Sequence, residues 1–326
     1  MHLSELPVRL ICTGRIEPGL TQGLYHSLAK EMTESSDDTV IICSPSLPYL
    51  CIGYHQVLDS VLDVDVCSAF NLPIIRRCIG GGATLLDCNQ IFYQCIFHNS
   101  RVPWRADKVY QMMLNAPVNV LNRIGLSGSL RAVNEVEANS VRIAGIGGGR
   151  VGEAMVVVGN LLLDFDYSIM SRVWNVPNQS FRDLALETME ERVGTINKLG
   201  CNHTPESLEP YLIEAFTESL ERPVQESELE REEIQVGTNM ANDLSSNEFL
   251  SLHHPTGEVS PMESLKISAD VFIRQVHLQL EDKKEEVSVR VDNGIIADLK
   301  TESPRKTAIR KLIIGTPFSN WSEEKT

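Results

Sequence analysis

Arg76-Arg77-Cys78-Ile79-Gly80-Gly81-Gly82-Ala83 closes a β-branched run with two cations and then three consecutive glycines. Glycine loses more conformational freedom on folding than any other residue, so three in a row are expected where the backbone has a task. With no side chains in the way, their N–H groups can close around a phosphate or carboxylate. The two arginines can add fixed charge and paired donors for the same anion. The plainer reading is a tight turn with two surface arginines. Neither common nucleotide loop is present: no Gly-Lys-Ser/Thr follows, and no G-x-G-x-x-G opens a helix. A second segment, Ile143-Ala144-Gly145-Ile146-Gly147-Gly148-Gly149-Arg150, follows Asn134-Glu135 and Arg142. Two glycine-rich segments beside arginines suggest opposite walls of one anionic-ligand site. For the second, a hairpin turn is the competing reading.

Short β-branched runs surround these segments. Thr39 to Cys43, Tyr49 to Gly53, Ile74 to Arg77 and Ile91 to Phe97 are bounded by Pro, Asp and Gly and read as strands. Val136, Val141, Ile143 and then Met155 to Phe165 supply more. A first helix carries Leu20, Leu24, Leu28 and Met32 at spacing four, with Thr21 as its cap. A second is expected from Asp107 to Ile124, kinked or split at Pro117. Thr204-Pro205 opens a third, with Leu208, Tyr211, Leu212, Ala215 and Phe216 as its apolar face. The charge-rich residues 221–233 read as a solvated helix face.

The Pro/Gly/Ser-rich segment His253 to Ser264 marks a boundary between a unit of residues 1–255 and a smaller one of residues 265–326. In the smaller unit Val287, Val289 and Val291 alternate, Asn293-Gly294 signals a hairpin, and Ile295 to Leu299 returns. Ser303-Pro304 opens a short helix that Gly315 closes. So small a core is expected to lean on the larger unit. His253-His254 has no third ligand at a sensible spacing, so no metal site is read there.

Twenty-nine basic and 44 acidic residues give a net charge of -15, the wrong sign for a free-standing nucleic-acid binder. No apolar stretch is long enough to span a bilayer and no secretory signal is evident, so no membrane partner is expected. The eight cysteines are scattered without a Cys-x-x-Cys, which points to a reducing, cytoplasmic setting.

Taken in order, Cys51-Ile52-Gly53-Tyr54-His55-Gln56, Arg76-Arg77-x-x-Gly-Gly-Gly-Ala, Asp87, Asn134-Glu135, Arg142-Ile143-Ala144-Gly145-Ile146-Gly147 and Val158-Gly159-Asn160 to Asp164-Phe165-Asp166 form a set. That set resembles the lipoate–protein ligase branch of the biotin/lipoate ligase superfamily, over roughly residues 5–255. Residues 265–318 look like the small accessory domain often attached to such ligases.

The resemblance implies an α+β fold, with a mixed, largely antiparallel sheet, packed helices, and a small αβ C-terminal accessory domain. It implies a two-step reaction in which ATP, Mg2+ and lipoate (or octanoate) form an acyl-adenylate. A lysine of an acceptor lipoyl domain then takes the acyl group, on a 2-oxoacid dehydrogenase E2, a glycine cleavage H protein or a similar protein. It assigns the acyl and phosphate groups to Arg77, Gly80, Gly81, Gly82 and Ala83. Tyr54, His55 and Gln56 form a neighbouring wall, and Asn134, Gly145, Ile146 and Gly147 line the ligand opposite. Glu135 is implied as an Mg2+ ligand, with Asp87 as a further site residue.

Departures cluster on the reacting groups. The family's usual lysine is Arg142, its His-Asp is Leu86-Asp87, its Asn-Asp is Asn134-Glu135, and its His-Gly is Val158-Gly159. Arginine keeps the charge but reaches differently, so the swap is not conservative. The competing readings are a catalytically altered binder of a lipoyl ligand or lipoyl domain, a cysteine-dependent octanoyltransferase using Cys78, and biotin ligation. Acceptor lipoyl domains are often acidic, as is this chain, so docking would call for a local basic face. Arg76, Arg101, Arg105, Lys108, Arg142 and Arg150 are the candidates for it.

Overall fold

A computed structural model describes residues 6–280 and 283–321 of the chain. It divides into two compact units. Met1–Leu58, Cys67–Phe165 and Gly194–His254 form the first, and Asp59–Val66, Asp166–Val193 and Pro255–Thr326 the second.

The first unit is built on a six-stranded mixed sheet. Its strand order is Ile146–Val151, Ala154–Leu162, Gln90–His98, Asp38–Pro45, Val8–Ile16 and Val224–Ser227. Val8–Ile16 runs parallel to both its neighbours, and the remaining pairs are antiparallel. Both faces are covered, so the central strands are buried throughout rather than alternating. Ile91, Tyr93, Cys95 and Phe97 join a core with residues of helices Ala106–Arg123 and Pro205–Ser219. Phe92 and Ile96 point the other way, into a core with Leu24, Tyr25 and Ala29 of helix Pro18–Lys30. A small sheet of Ile74–Arg76, Tyr49–Ile52 and Thr84–Leu86 carries the first glycine segment between its strands. The α+β, mixed-sheet expectation is met.

In the second unit, Ser264–Ser268, Val271–Leu280, Lys283–Asp292 and Ile295–Lys300 form an antiparallel sheet. Asn293 and Gly294 have φ of 51° and 80°, the left-handed pair that this two-residue hairpin turn needs. Val287, Val289 and Val291 are buried against Ile309 and Ile313 of helix Lys306–Ile313. Gly315, at φ 79°, follows that helix as expected. Helix Gln179–Arg192 packs on this sheet as well, with Glu191 paired to Arg290 at 2.5 Å.

Several local expectations are corrected. The first helix begins at Pro18, so Thr21 is not its cap; its hydroxyl donates to the Pro18 carbonyl at 2.7 Å. Pro117 does not split its helix, which runs as one element over Ala106–Arg123. Thr204 does cap its helix, in a box with Ser207, but Tyr211 faces outward beside His203. Residues 221–233 are not one helix face: Val224–Ser227 is an edge strand, and helix Arg231–Leu244 begins after it. Gly147, Gly148 and Gly149 lie in an edge strand, not in a turn.

Candidate functional site

The two adjacent arginines have different duties. Arg76 is fully buried, and its guanidinium donates to six backbone carbonyls: Gly53, Tyr54, Gln56, Phe249, Leu250 and Leu252, at 2.6–3.2 Å. Burial holds it below its ordinary pKa. It ties the turn after strand Tyr49–Ile52 to the end of the first unit and is not available to an anion, which corrects the reading of both arginines as ligand donors.

Arg77 turns toward the glycines instead. It donates to Gly80 O at 3.0 and 3.1 Å and to Gly82 O at 2.9 Å, with a longer contact to Cys51 O at 3.4 Å. Two loop carbonyls are thereby drawn onto one guanidinium. Gly81 needs its φ of +112°, and a Cβ there would run into Arg77. Around Gly80 and Gly82 the opposite holds: a Cβ on either would meet no atom within 4 Å. Ala83 follows, half-buried, before strand Thr84–Leu86.

Tyr54, His55 and Gln56 form a turn against this loop. The Tyr54 N–H donates to Ile79 O at 3.0 Å, and Gln56 Oε1 accepts from Gly53 N–H at 2.9 Å. Gly53 lies so close to the Gly81 carbonyl that a Cβ would collide with it. The Tyr54 ring sits among His55, Phe249 and His253.

The second glycine segment faces the first. A Cβ on Gly147 would stand 3.3 Å from Ile79 Cδ1 and 3.7 Å from Gly80 O, and one on Gly149 3.6 Å from Ile79 Cγ2. Ile79 is thus seated under the glycine strand. Gly145 is fixed by Asn160, whose Oδ1 accepts its N–H at 2.7 Å and whose amide donates to Gln90. Ile146 heads the strand, half-buried.

Arg142 donates from Nε to Ala144 O at 2.9 Å, and its guanidinium reaches to 3.7 Å from a Cβ position on Gly145. Burial lowers its pKa, and the Glu135 charge pulls it back up. Glu135 is itself buried. Among the described residues, no cluster of three His, Cys, Asp or Glu could hold a metal. Asn134 lies exposed on the turn after strand Gly128–Arg131. Asp87 is buried and accepts the Asn89 N–H at 2.8 Å.

The structure therefore brings Tyr54, Gln56, Arg77, Gly80–Gly82 and Gly147 into one cluster, with Arg142 against Gly145, while Asn134 and Asp87 sit in separate turns. The proposed basic face is thinner than its five arginines and one lysine suggest. Arg76 is enclosed, Arg101 pairs with the buried Asp38 at 3.0 Å, and Arg105 pairs with Asp107 at 3.0 Å. Burial pushes the Cys78 thiol up, against a smaller pull from Lys30, which disfavours a thiolate nucleophile there. Asn160, read from the sequence only as part of the Val158-Gly159-Asn160 motif, holds Gly145. His26, which the sequence reading missed, accepts the Cys78 N–H and lies in no local pattern that marks it.

No helix among the described residues is long and apolar enough to cross a membrane. Among proteins of known function, the chain is 26% identical over 179 residues to lipoate-protein ligase A subunit 1 of Thermoplasma acidophilum, covering 52% of this chain and 67% of that one. It is 22% identical over 222 residues to the octanoyltransferase LipM of Clostridioides difficile, covering 61% and 82%. A solved bi-partite lipoate protein ligase from Thermoplasma acidophilum, described with its E2 lipoyl domain, shares the fold with a TM-score of 0.69 at 20% identity, over 78% of this chain and 100% of that one. A lipoate-protein ligase A bound with ATP does so with a TM-score of 0.63 at 19% identity, over 76% and 99%. Residues 18–217 match the lipoyl protein ligase A/B catalytic domain, and the chain belongs to that family.

Proposed function

We propose that this chain is an ATP-dependent lipoate–protein ligase, acting on lipoate or octanoate. The observation that carries this reading is the pair of glycine walls: Gly80 and Gly82 keep an open face, and Gly147 stands across from the same loop. With two loop carbonyls drawn to Arg77, the loop's amides are the groups left to meet an anion. Relatives bearing ligase names, and a neighbour with the same fold described as bound with ATP, support the choice of cosubstrate.

In the first step a carboxylate oxygen attacks the α-phosphorus of ATP and pyrophosphate leaves. The glycine amides hold the phosphoryl oxygens, and Arg142, above Gly145, stabilises the charge that builds between acyl and phosphate groups. In the second step a neutral lysine amine of a lipoyl domain attacks the acyl carbon, loses a proton, and expels AMP. The Glu135 carboxylate opposes the Arg142 charge. The octanoyltransferase reading requires an activated thiol. Cys78, the candidate for it, has its thiol pushed up and its N–H tied to His26.

The test is intact-mass analysis of apo lipoyl domains incubated with the protein, lipoate, ATP and Mg2+. A lipoyl-sized gain that needs ATP and disappears in Arg77→Ala supports the ligase. No gain with ATP, but transfer from an octanoyl carrier protein, overturns it in favour of the transferase.

A further inference from the structure

We propose that His26 is a positioning residue for the glycine loop, holding its entry through the Cys78 amide in the shape that the ligand site uses. His26 lies on the inward face of helix Pro18–Lys30 and is 1% exposed. Its Nδ1 stands 2.7 Å from the Gln22 carbonyl, which can only accept, so Nδ1 carries the proton. Nε2 is then a bare acceptor, and the Cys78 N–H donates to it at 2.8 Å. A single neutral tautomer satisfies both contacts.

His26 is held from behind by a buried polar chain. Gln22 Nε2 donates to Tyr49 OH at 2.7 Å, and Tyr25 OH donates to Gln22 Oε1 at 3.0 Å. Thr21 Oγ1 is 2.7 Å from the same Tyr49 hydroxyl, and Gln94 Nε2 donates to Thr21 O at 2.6 Å. The chain runs from the middle of strand Gln90–His98, through the helix, to the residue between Arg77 and Ile79. A buried hydrogen-bonded network specifies one arrangement more than it adds stability. Here the arrangement it specifies is the start of the loop. Arg77 gathers the loop's carbonyls, while His26 fixes the amide from which the loop departs. The link to ligand binding rests on the proposed ligase function; the link to loop geometry does not.

Two variants of the protein separate position from packing. His26→Leu fills the space without an acceptor, and His26→Gln restores an amide oxygen near the place of Nε2. Hydrogen–deuterium exchange should show the amides of residues 78–82 exchanging roughly tenfold faster or more in His26→Leu, with strand Gln90–His98 unchanged and His26→Gln close to wild type. In the mass assay, His26→Leu should raise the KM for ATP or lipoate more than it lowers kcat. Equal exchange in the loop for both variants, or an increase in the strand as large as in the loop, would overturn the positioning role. A wild-type protein with no ATP-dependent transfer would count against the ligase reading alone, because the exchange pattern decides the role of His26 independently.

Discussion

The two glycine-rich segments use the same residue for opposite purposes. In the edge strand the glycines are crowded: Ile79 presses on Gly147 and Gly149, and the Tyr110 hydroxyl would lie 2.6 Å from a Cβ on Gly148. In the loop, Gly80 and Gly82 face open space. The strand glycines let protein approach protein. The loop glycines leave room that the protein itself does not fill, which is the stronger sign of a ligand. The loop has no ladder of its own and is shaped from outside by Arg77 and His26, whereas the strand is held by regular pairing to Ala154–Leu162.

Arg76→Ala should have the largest effect on stability, about 4 kcal/mol, because it strands several buried carbonyls at once. Chemical denaturation would measure it, and a loss below about 1 kcal/mol would mean that the Tyr54–Gln56 turn is not anchored as described. His26 gives the next effect. Its folded pKa is pushed down to about 4 from 6.5, chiefly by burial, so the native state keeps it neutral while the unfolded chain takes up a proton. The stability present above about pH 6.5 is therefore lost as pH falls toward 4, up to about 3 kcal/mol in all. In His26→Gln that part of the pH dependence should vanish from a series of denaturation curves.

Gly148→Ala should cost about 2 kcal/mol, since a methyl group would be forced against Tyr110 and against the Val156 carbonyl. Gly80→Ala is the contrasting case. It should change stability by less than about 0.5 kcal/mol yet weaken ATP-dependent acyl transfer tenfold or so. If both glycine variants damage stability equally, the contrast between the walls fails. Arg142→Lys should have the smallest effect, a change in transfer rate of less than about tenfold in either direction, read by the same mass assay.

What the sequence made legible were elements with local signals. Asn293-Gly294 between alternating valines, and Thr204-Pro205 before an apolar stripe, both appear as read. Strand Val8–Ile16 went unread because it is only partly apolar and is defined by parallel neighbours far along the chain. The glycine strand could not be told from a turn because a residue without a side chain carries no alternation. At the site, the motif order pointed to the right segments, but which arginine serves the loop could not be read from two identical neighbours. That choice is made by the carbonyls of Phe249, Leu250 and Leu252, more than 170 positions away. Likewise the first helix reads as an apolar stripe, while its innermost residues include Thr21, Gln22 and His26.

The six-carbonyl grip of Arg76 bears on where this protein can be cut. The family match ends at residue 217, but three of the acceptors lie beyond it. A fragment trimmed to the matched region would keep every glycine of both walls and lose half of what immobilises the arginine beside them. Added back as a separate peptide, residues 218–254 should restore that grip, making the segment a detachable buttress for the Tyr54–Gln56 turn.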